Sequence, residues 1–201
     1  MKIRRIFSVF LLSVLLAALF LTPQAYALEE PTLDARNALL MDETNGRMLY
    51  GKAEKEKAYP ASITKIMTAL LVLEAVDRGD LSASQPITAS YEAANSIDED
   101  SSTAGIEEGE VLTVEQLLYC LLIVSANEAA NILAEAVSGS VTDFVALMNQ
   151  RATELGCEGT HFANTNGLPD PDHYTTAWDL YLITQEAMKH EMFMPICNTK
   201  V

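Results

Sequence analysis

The chain has 201 residues, with 28 acidic against 13 basic side chains and a formal net charge of -15. That length supports one domain with a sizeable core. The acidity argues against nucleic acid and against anionic lipid as partners.

The chain opens MKIRRIFSVFLLSVLLAALFLTPQAYALEE, in which Lys2, Arg4 and Arg5 precede an apolar stretch from Ile6 to Leu21. Ala25-Tyr26-Ala27 is a small-residue cleavage site, so residues 1–27 are expected to be a signal peptide rather than a retained anchor. Cleavage removes three basic and no acidic residues and moves the formal charge from -15 to -18. No later run is long and apolar enough to span a bilayer, Leu117 to Val124 being too short. Residues 28–201 are therefore expected to be an exported, soluble chain.

Two apolar runs, Ala38 to Met41 and Met48 to Tyr50, flank a polar turn that ends in Asn45-Gly46 and predict a hairpin. Tyr59-Pro60 breaks the chain, and a helix is expected from Ala61 to Arg78, stopped by Gly79. Ser84 to Gly109 is polar and short of core residues, which predicts a surface excursion. Its acidic clusters, Asp98 to Asp100 and Glu107 to Glu110, predict a solvated face. Helical spacing returns from Thr113 to Ile123, breaks at Ser125-Ala126-Asn127, and resumes as far as Ser138-Gly139. Val141 to Leu155 predicts a further helix closed by Gly156. A long loop follows, and Thr176 to Asp179 resembles a capping box opening a helix to Lys189. One hairpin among helices is a marginal sheet by itself.

The cysteines, Cys120, Cys157 and Cys197, lack metal-ligand spacing, and His161, His173 and His190 form no metal motif, so neither metal nor cofactor is expected. Cys120 lies in an apolar run and is expected in the core. In an exported chain Cys157 and Cys197 are open to bridging or to remaining free.

The polar residues that carry chemistry begin with Ser62 and Lys65 in "YPASITKIMTALLVLEA". Residues three apart share a helix face, and backbone N–H groups in a first turn have no intrahelical partner. Lys65 faces apolar residues, where desolvation favours the neutral amine, a base for the serine hydroxyl. By itself, however, S-x-x-K is a weak motif, and a solvated lysine explains it as simply. In "LLIVSANEAANILAEA", Ser125 and Asn127 are open to two readings: a helix N-cap, or a second hydroxyl and a carboxamide beside Ser62 and Lys65.

Taken together, "PASITKIMTALLVLE" and "SANEAANILAE" resemble the first two motifs of the serine penicillin-recognising enzymes, more closely the low-molecular-mass penicillin-binding proteins that are D-alanyl-D-alanine carboxypeptidases, serine peptidase family S11. "LLMDETNGRMLYGKAEKEKAYPAS" and "THFANTNGLPDPDHYTTAWDLYLIT" follow the same pattern, so the resemblance runs from Ala35 to the last residue. It implies an α/β (α+β) fold of the β-lactamase/transpeptidase type, a helical region with an antiparallel sheet of which the N-terminal hairpin is present. It also implies an acyl-enzyme mechanism on peptidoglycan stem peptides ending in D-Ala-D-Ala, with β-lactam antibiotics as covalent inhibitors. Matched by position, Ser62 is the nucleophile, Lys65 its base, Ser125 the proton relay to the leaving D-alanine and Asn127 the substrate-binding carboxamide. The family acts on the extracytoplasmic side, and its members often carry a C-terminal membrane anchor.

One departure stands out. The family's third motif, K-T-G, binds the substrate's terminal carboxylate from a strand across the cleft, and it does not occur here; Thr199-Lys200 has the wrong order and no glycine follows. In the family a segment like "MPICNTK" precedes the strands that bear K-T-G, so the chain is expected to stop short of them. Two competing readings are a class A-like β-lactamase and a non-catalytic peptidoglycan-binding module. Against the first, the loop from Phe162 to Tyr174 contains Asp170 and Asp172 but no glutamate to activate a deacylating water.

Overall fold

A computed structural model describes residues 32–97 and 101–200, of which those from Ala35 onward form one compact unit. The expected leader and Asp98 to Asp100 lie outside the described residues. The predicted hairpin is present as β1 (Ala38–Asp42) and β2 (Arg47–Lys52), antiparallel, with Leu40 opposite Tyr50 and Met41 opposite Met48. The register shifts after Leu40, a bulge that leaves Leu49 without an opposite residue. Gly46 turns the chain at φ +66°, and the Asp42 carboxylate accepts from Thr44 N–H and Asn45 Nδ2.

Pro60 leads into a 3-10 turn (Ala61–Thr64) and then α1 (Lys65–Asp77), so the first turn of the expected helix is tighter than α. Met67, Ala69, Leu70, Leu71, Val72, Leu73 and Ala75 of α1 are all buried, leaving no solvent-facing stripe. A helix apolar all round belongs at the centre of a core, and α1 is packed on several sides by the later helices.

The segment from Ser84 to Gly109 departs from expectation. It contributes β3 (Pro86–Thr88) and α2 (Tyr91–Asn95), and β3 pairs antiparallel with β4 (Val111–Thr113). Ala89, Ala93 and Ile106 are buried in the core, so the segment is part of the packing and not a surface excursion. Small side chains bury little area each, which is why the composition reads as polar.

Thr113 opens α3 (Val114–Tyr119) with a full capping box, its hydroxyl accepting from Gln116 N–H while the Gln116 side chain accepts from Thr113 N–H. The helix does not continue as α to Ile123 but widens into a π turn (Cys120–Val124). After it come α4 (Asn127–Ser138), α5 (Val141–Glu154), α6 (Ala177–Ala187) and α7 (Phe193–Cys197), the last not expected from the sequence. At α6 only half the predicted capping box forms. Thr176 accepts from Asp179 N–H, but the Asp179 carboxylate turns to Gly159 N–H and Thr160 Oγ1.

Three of the four alanines of α4 (Ala129, Ala130 and Ala134) are fully buried and let its backbone approach its neighbours closely. Arg151 of α5 reaches Glu74 of α1 at 2.8 Å and Glu186 of α6 at 3.4 Å, tying three helices at the edge of the core. All three cysteines are free thiols; Cys120 is partly buried against the core, and Cys197 is exposed. Among the described residues no single helix is long and apolar enough to cross a membrane.

Removing the Thr113 hydroxyl takes away a donor's only side-chain acceptor at the start of α3. Thr113→Ala is expected to lower unfolding free energy by about 1 kcal/mol in chemical denaturation.

Candidate functional site

Lys65 is 2 % exposed, at the first position of the central helix. Its Nζ has three neighbours: Asn127 Oδ1 at 2.7 Å, the main-chain oxygen of Asn166 at 2.9 Å and Ser62 Oγ at 3.3 Å. Two of these are carbonyl oxygens, which can only accept. The third is a hydroxyl, which can also donate. As an ammonium, Nζ donates to all three; in its neutral form, with two hydrogens and one lone pair, it keeps the carbonyls and turns the lone pair to Ser62 Oγ–H. Burial lowers the Lys65 pKa from 10.5 to about 8, against a smaller raise from the Glu128 carboxylate.

Ser62 itself is exposed, in the 3-10 turn that precedes the lysine. Ser62, Lys65 and Ile66 line a cleft of about 360 Å³ together with Leu121 and Leu122 of the π turn, Ser125 at its end, and Phe193 and Cys197 of α7. Ser125 ends the π turn with φ +62°. Its Oγ is buried and has no hydrogen-bond partner. Thus Ser62, Lys65 and Asn127 form one hydrogen-bonded cluster, whereas Ser125 joins them in the cleft without a bond to them.

The N-cap reading of the Ser125-Ala126-Asn127 break does not hold. Ala126 is the N-cap of α4 and no side chain caps it. Instead the π turn closes by Ala126 N–H donating to Cys120 O at 3.0 Å, and the first residue of α4 sends its carboxamide to Lys65. The adjacent Glu128, fully buried, accepts from Thr103 Oγ1 and Ala104 N–H through Oε1, while its Oε2 has no partner.

The loop of residues 162–174 supplies what the motifs did not reveal. Asn166 contributes a main-chain carbonyl, for which the sequence carries no side-chain signal. Gly167, at φ +92°, brings its backbone onto the Ser62 turn so closely that a Cβ there would lie 1.8 Å from Ala61 O. Ala61, in turn, is at φ +49°. Strained backbone thus lies directly before Ser62 and at Ser125, the pattern expected where surrounding structure over-determines a site. Thr68 Oγ1 donates to Thr165 O at 2.6 Å, a second stitch between loop and helix. Asp170 and Asp172 of this loop are exposed, with Asp170 Oδ1 accepting from Asp172 N–H, so they belong to the loop's own turn.

Known proteins resemble this chain in sequence and in fold. The family model for D-alanyl-D-alanine carboxypeptidase, peptidase S11, matches residues 24–199. D-alanyl-D-alanine carboxypeptidase DacF of Bacillus subtilis is 36% identical over 98% of this chain and 51% of its own length. DacC of Escherichia coli is 35% identical over 88% of this chain and 46% of its own. Among solved structures, the Streptomyces K15 DD-transpeptidase superposes with a TM-score of 0.80 at 32% identity, over 86% of this chain and 68% of that one. Penicillin binding protein 5 from Haemophilus influenzae gives 0.78 at 31% identity, over 81% and 47%.

The fold is therefore that of the penicillin-binding peptidases, and the chain belongs to the D-alanyl-D-alanine carboxypeptidase family. It spans about half the length of the curated relatives it matches.

Because Gly167 abuts backbone, its replacement cannot be relieved by a side-chain rotation. Gly156, at φ +81°, carries the same backbone strain but has nothing within 4 Å of an added Cβ. Gly167→Ala is expected to cost about 1–3 kcal/mol more than Gly156→Ala in denaturation, the difference being overpacking alone.

Proposed function

We propose that this chain carries the nucleophile wall of a serine-type D-Ala-D-Ala carboxypeptidase that removes the terminal D-alanine from peptidoglycan stem peptides. The observation that carries the reading is the buried Lys65 amine with two carbonyl acceptors and one hydroxyl around it. The Ser62 Oγ proton passes to the Lys65 lone pair as Oγ attacks the penultimate D-alanine carbonyl. Negative charge gathers on the carbonyl oxygen, where the Ser62 backbone N–H, in the first turn and without an intrahelical partner, is one donor. Collapse expels the terminal D-alanine as its amine takes up the proton from Lys65, with Ser125 Oγ as the relay. Asn127 holds Lys65 through its oxygen and offers its NH2 to a substrate carbonyl. Water then hydrolyses the ester and restores Ser62. β-Lactams acylate the same oxygen.

No K-T-G occurs in the 201 residues. The activity proposed is that of the protein in which the facing, carboxylate-binding wall of the cleft is also present. Residues 1–27 fit an export signal, and a stem-peptide substrate places the enzyme outside the cytoplasm. The glutamate a class A β-lactamase uses to deacylate has no counterpart in the loop of residues 162–174, which favours the carboxypeptidase.

Penicillin treatment of the full-length protein is expected to leave a covalent adduct on Ser62, located by mass spectrometry of the peptide spanning residues 58–66. An adduct on Ser125, or on neither serine, contradicts the reading. Lys65→Ala is expected to slow that acylation by at least about a hundredfold, the scale of a lost general base, with the fold retained. Acylation within about tenfold of wild type would contradict the role given to Lys65.

A further inference from the structure

The 162–174 loop grips the Ser62 turn at one more point, through a side chain that the mechanism above does not use. His173 is 2 % exposed and lies against Phe162, ring edge to face, with centroids 5.6 Å apart. Ala163 N–H donates to His173 Nδ1 at 3.1 Å. A backbone N–H cannot accept, so Nδ1 carries the lone pair and the ring's hydrogen is on Nε2. That hydrogen is directed at Thr64 Oγ1, 2.7 Å away. Burial pushes the His173 pKa down, opposed by Asp170 and assisted by His161, in keeping with a neutral ring.

Thr64 is fully buried and lies between Ile63 and Lys65, at the end of the turn that carries Ser62. The other ties between loop and turn run through backbone atoms of residues 165–167. These hold the loop's near end. The His173–Thr64 bond holds its far end, ten residues on from the amide that orients the ring. The Ser62 Oγ to Lys65 Nζ distance of 3.3 Å is the longest of the three around the amine, so it is the one most exposed to a small rotation of the turn.

We propose that His173 is a positioning residue which, through Thr64, fixes the turn bearing Ser62 and Lys65 against the loop that offers the Asn166 carbonyl. The proposal rests on Ser62 being the acylated residue. Reactive groups displaced by about an ångström lose on the order of a hundredfold in rate. Thr64→Val keeps the shape of the side chain but removes the acceptor, whereas Thr64→Ser keeps the acceptor. At position 173, glutamine retains a donor at the place of Nε2 and asparagine does not.

The test is the second-order rate of Ser62 acylation by a fluorescent penicillin in the full-length protein. Thr64→Val is expected to be slower by about 10–100-fold, with Thr64→Ser within about threefold of wild type. His173→Gln is expected to be at least about tenfold faster than His173→Asn. If Thr64→Val does not fold, the two position-173 variants decide. Equal rates for Thr64→Val and wild type, for Thr64→Ser and Thr64→Val, or for the two position-173 variants would overturn the positioning role while the functional reading stood. A wild-type protein not acylated at Ser62 would overturn both.

Discussion

Burial of the Lys65 amine is the constraint on which the rest of the site depends. A lysine at 2 % exposure must keep a partner for each hydrogen or lose its charge. Here two carbonyl oxygens stand on one side and a hydroxyl on the other. That set of partners serves both forms: an ammonium donates to all three, and a neutral amine keeps the two carbonyls and accepts from the hydroxyl, the one partner that can reverse its direction. The nearby buried Glu128 opposes the shift without cancelling it. The balance leaves an amine whose pKa of about 8 is close to neutral pH, the range in which a general base is most effective.

The surrounding structure can be traced back from those two carbonyls. Asn127 reaches the amine because α4 begins two residues after the left-handed Ser125 and so starts beside α1. Ser125 turns there because α3 widens to a π turn, a local loosening that recurs at functional sites. Asn166 reaches the amine because Gly167 permits two backbones to touch. The large all-round burial of α1 supplies the rigidity against which these strained segments are held. Positive φ at Ala61 and at Ser125 is thus sustained by the core.

Much of this was legible in the sequence, for stateable reasons. The hairpin announced itself through Asn45-Gly46 between apolar runs, and α1 through Pro60 followed by unbroken apolar residues. Ser62, Lys65 and Asn127, which the structure brings into one hydrogen-bonded cluster, could be singled out because chemistry that depends on side chains leaves side-chain motifs. Asn166 was not, because it acts through a main-chain oxygen that any residue possesses. The π turn escaped because Leu121 to Val124 continues the apolar run that a helix would also show. The packing of residues 84–113 escaped because alanines at 89 and 93 carry no strong periodic signal. Glu128 carried no signal of its own in the sequence, and it is fully buried and binds a segment some twenty residues earlier.

The claim that Lys65 is neutral enough to serve as a base is most directly tested by titrating that side chain. Selective labelling of lysine Cε, with Lys65 assigned by its loss in Lys65→Ala, gives the pKa from the chemical shift against pH. The account predicts a midpoint near the value of about 8 that burial imposes. A midpoint at the ordinary lysine value of 10.5 would contradict it, since the neutral fraction at pH 7 would then fall from about a tenth to about one part in three thousand.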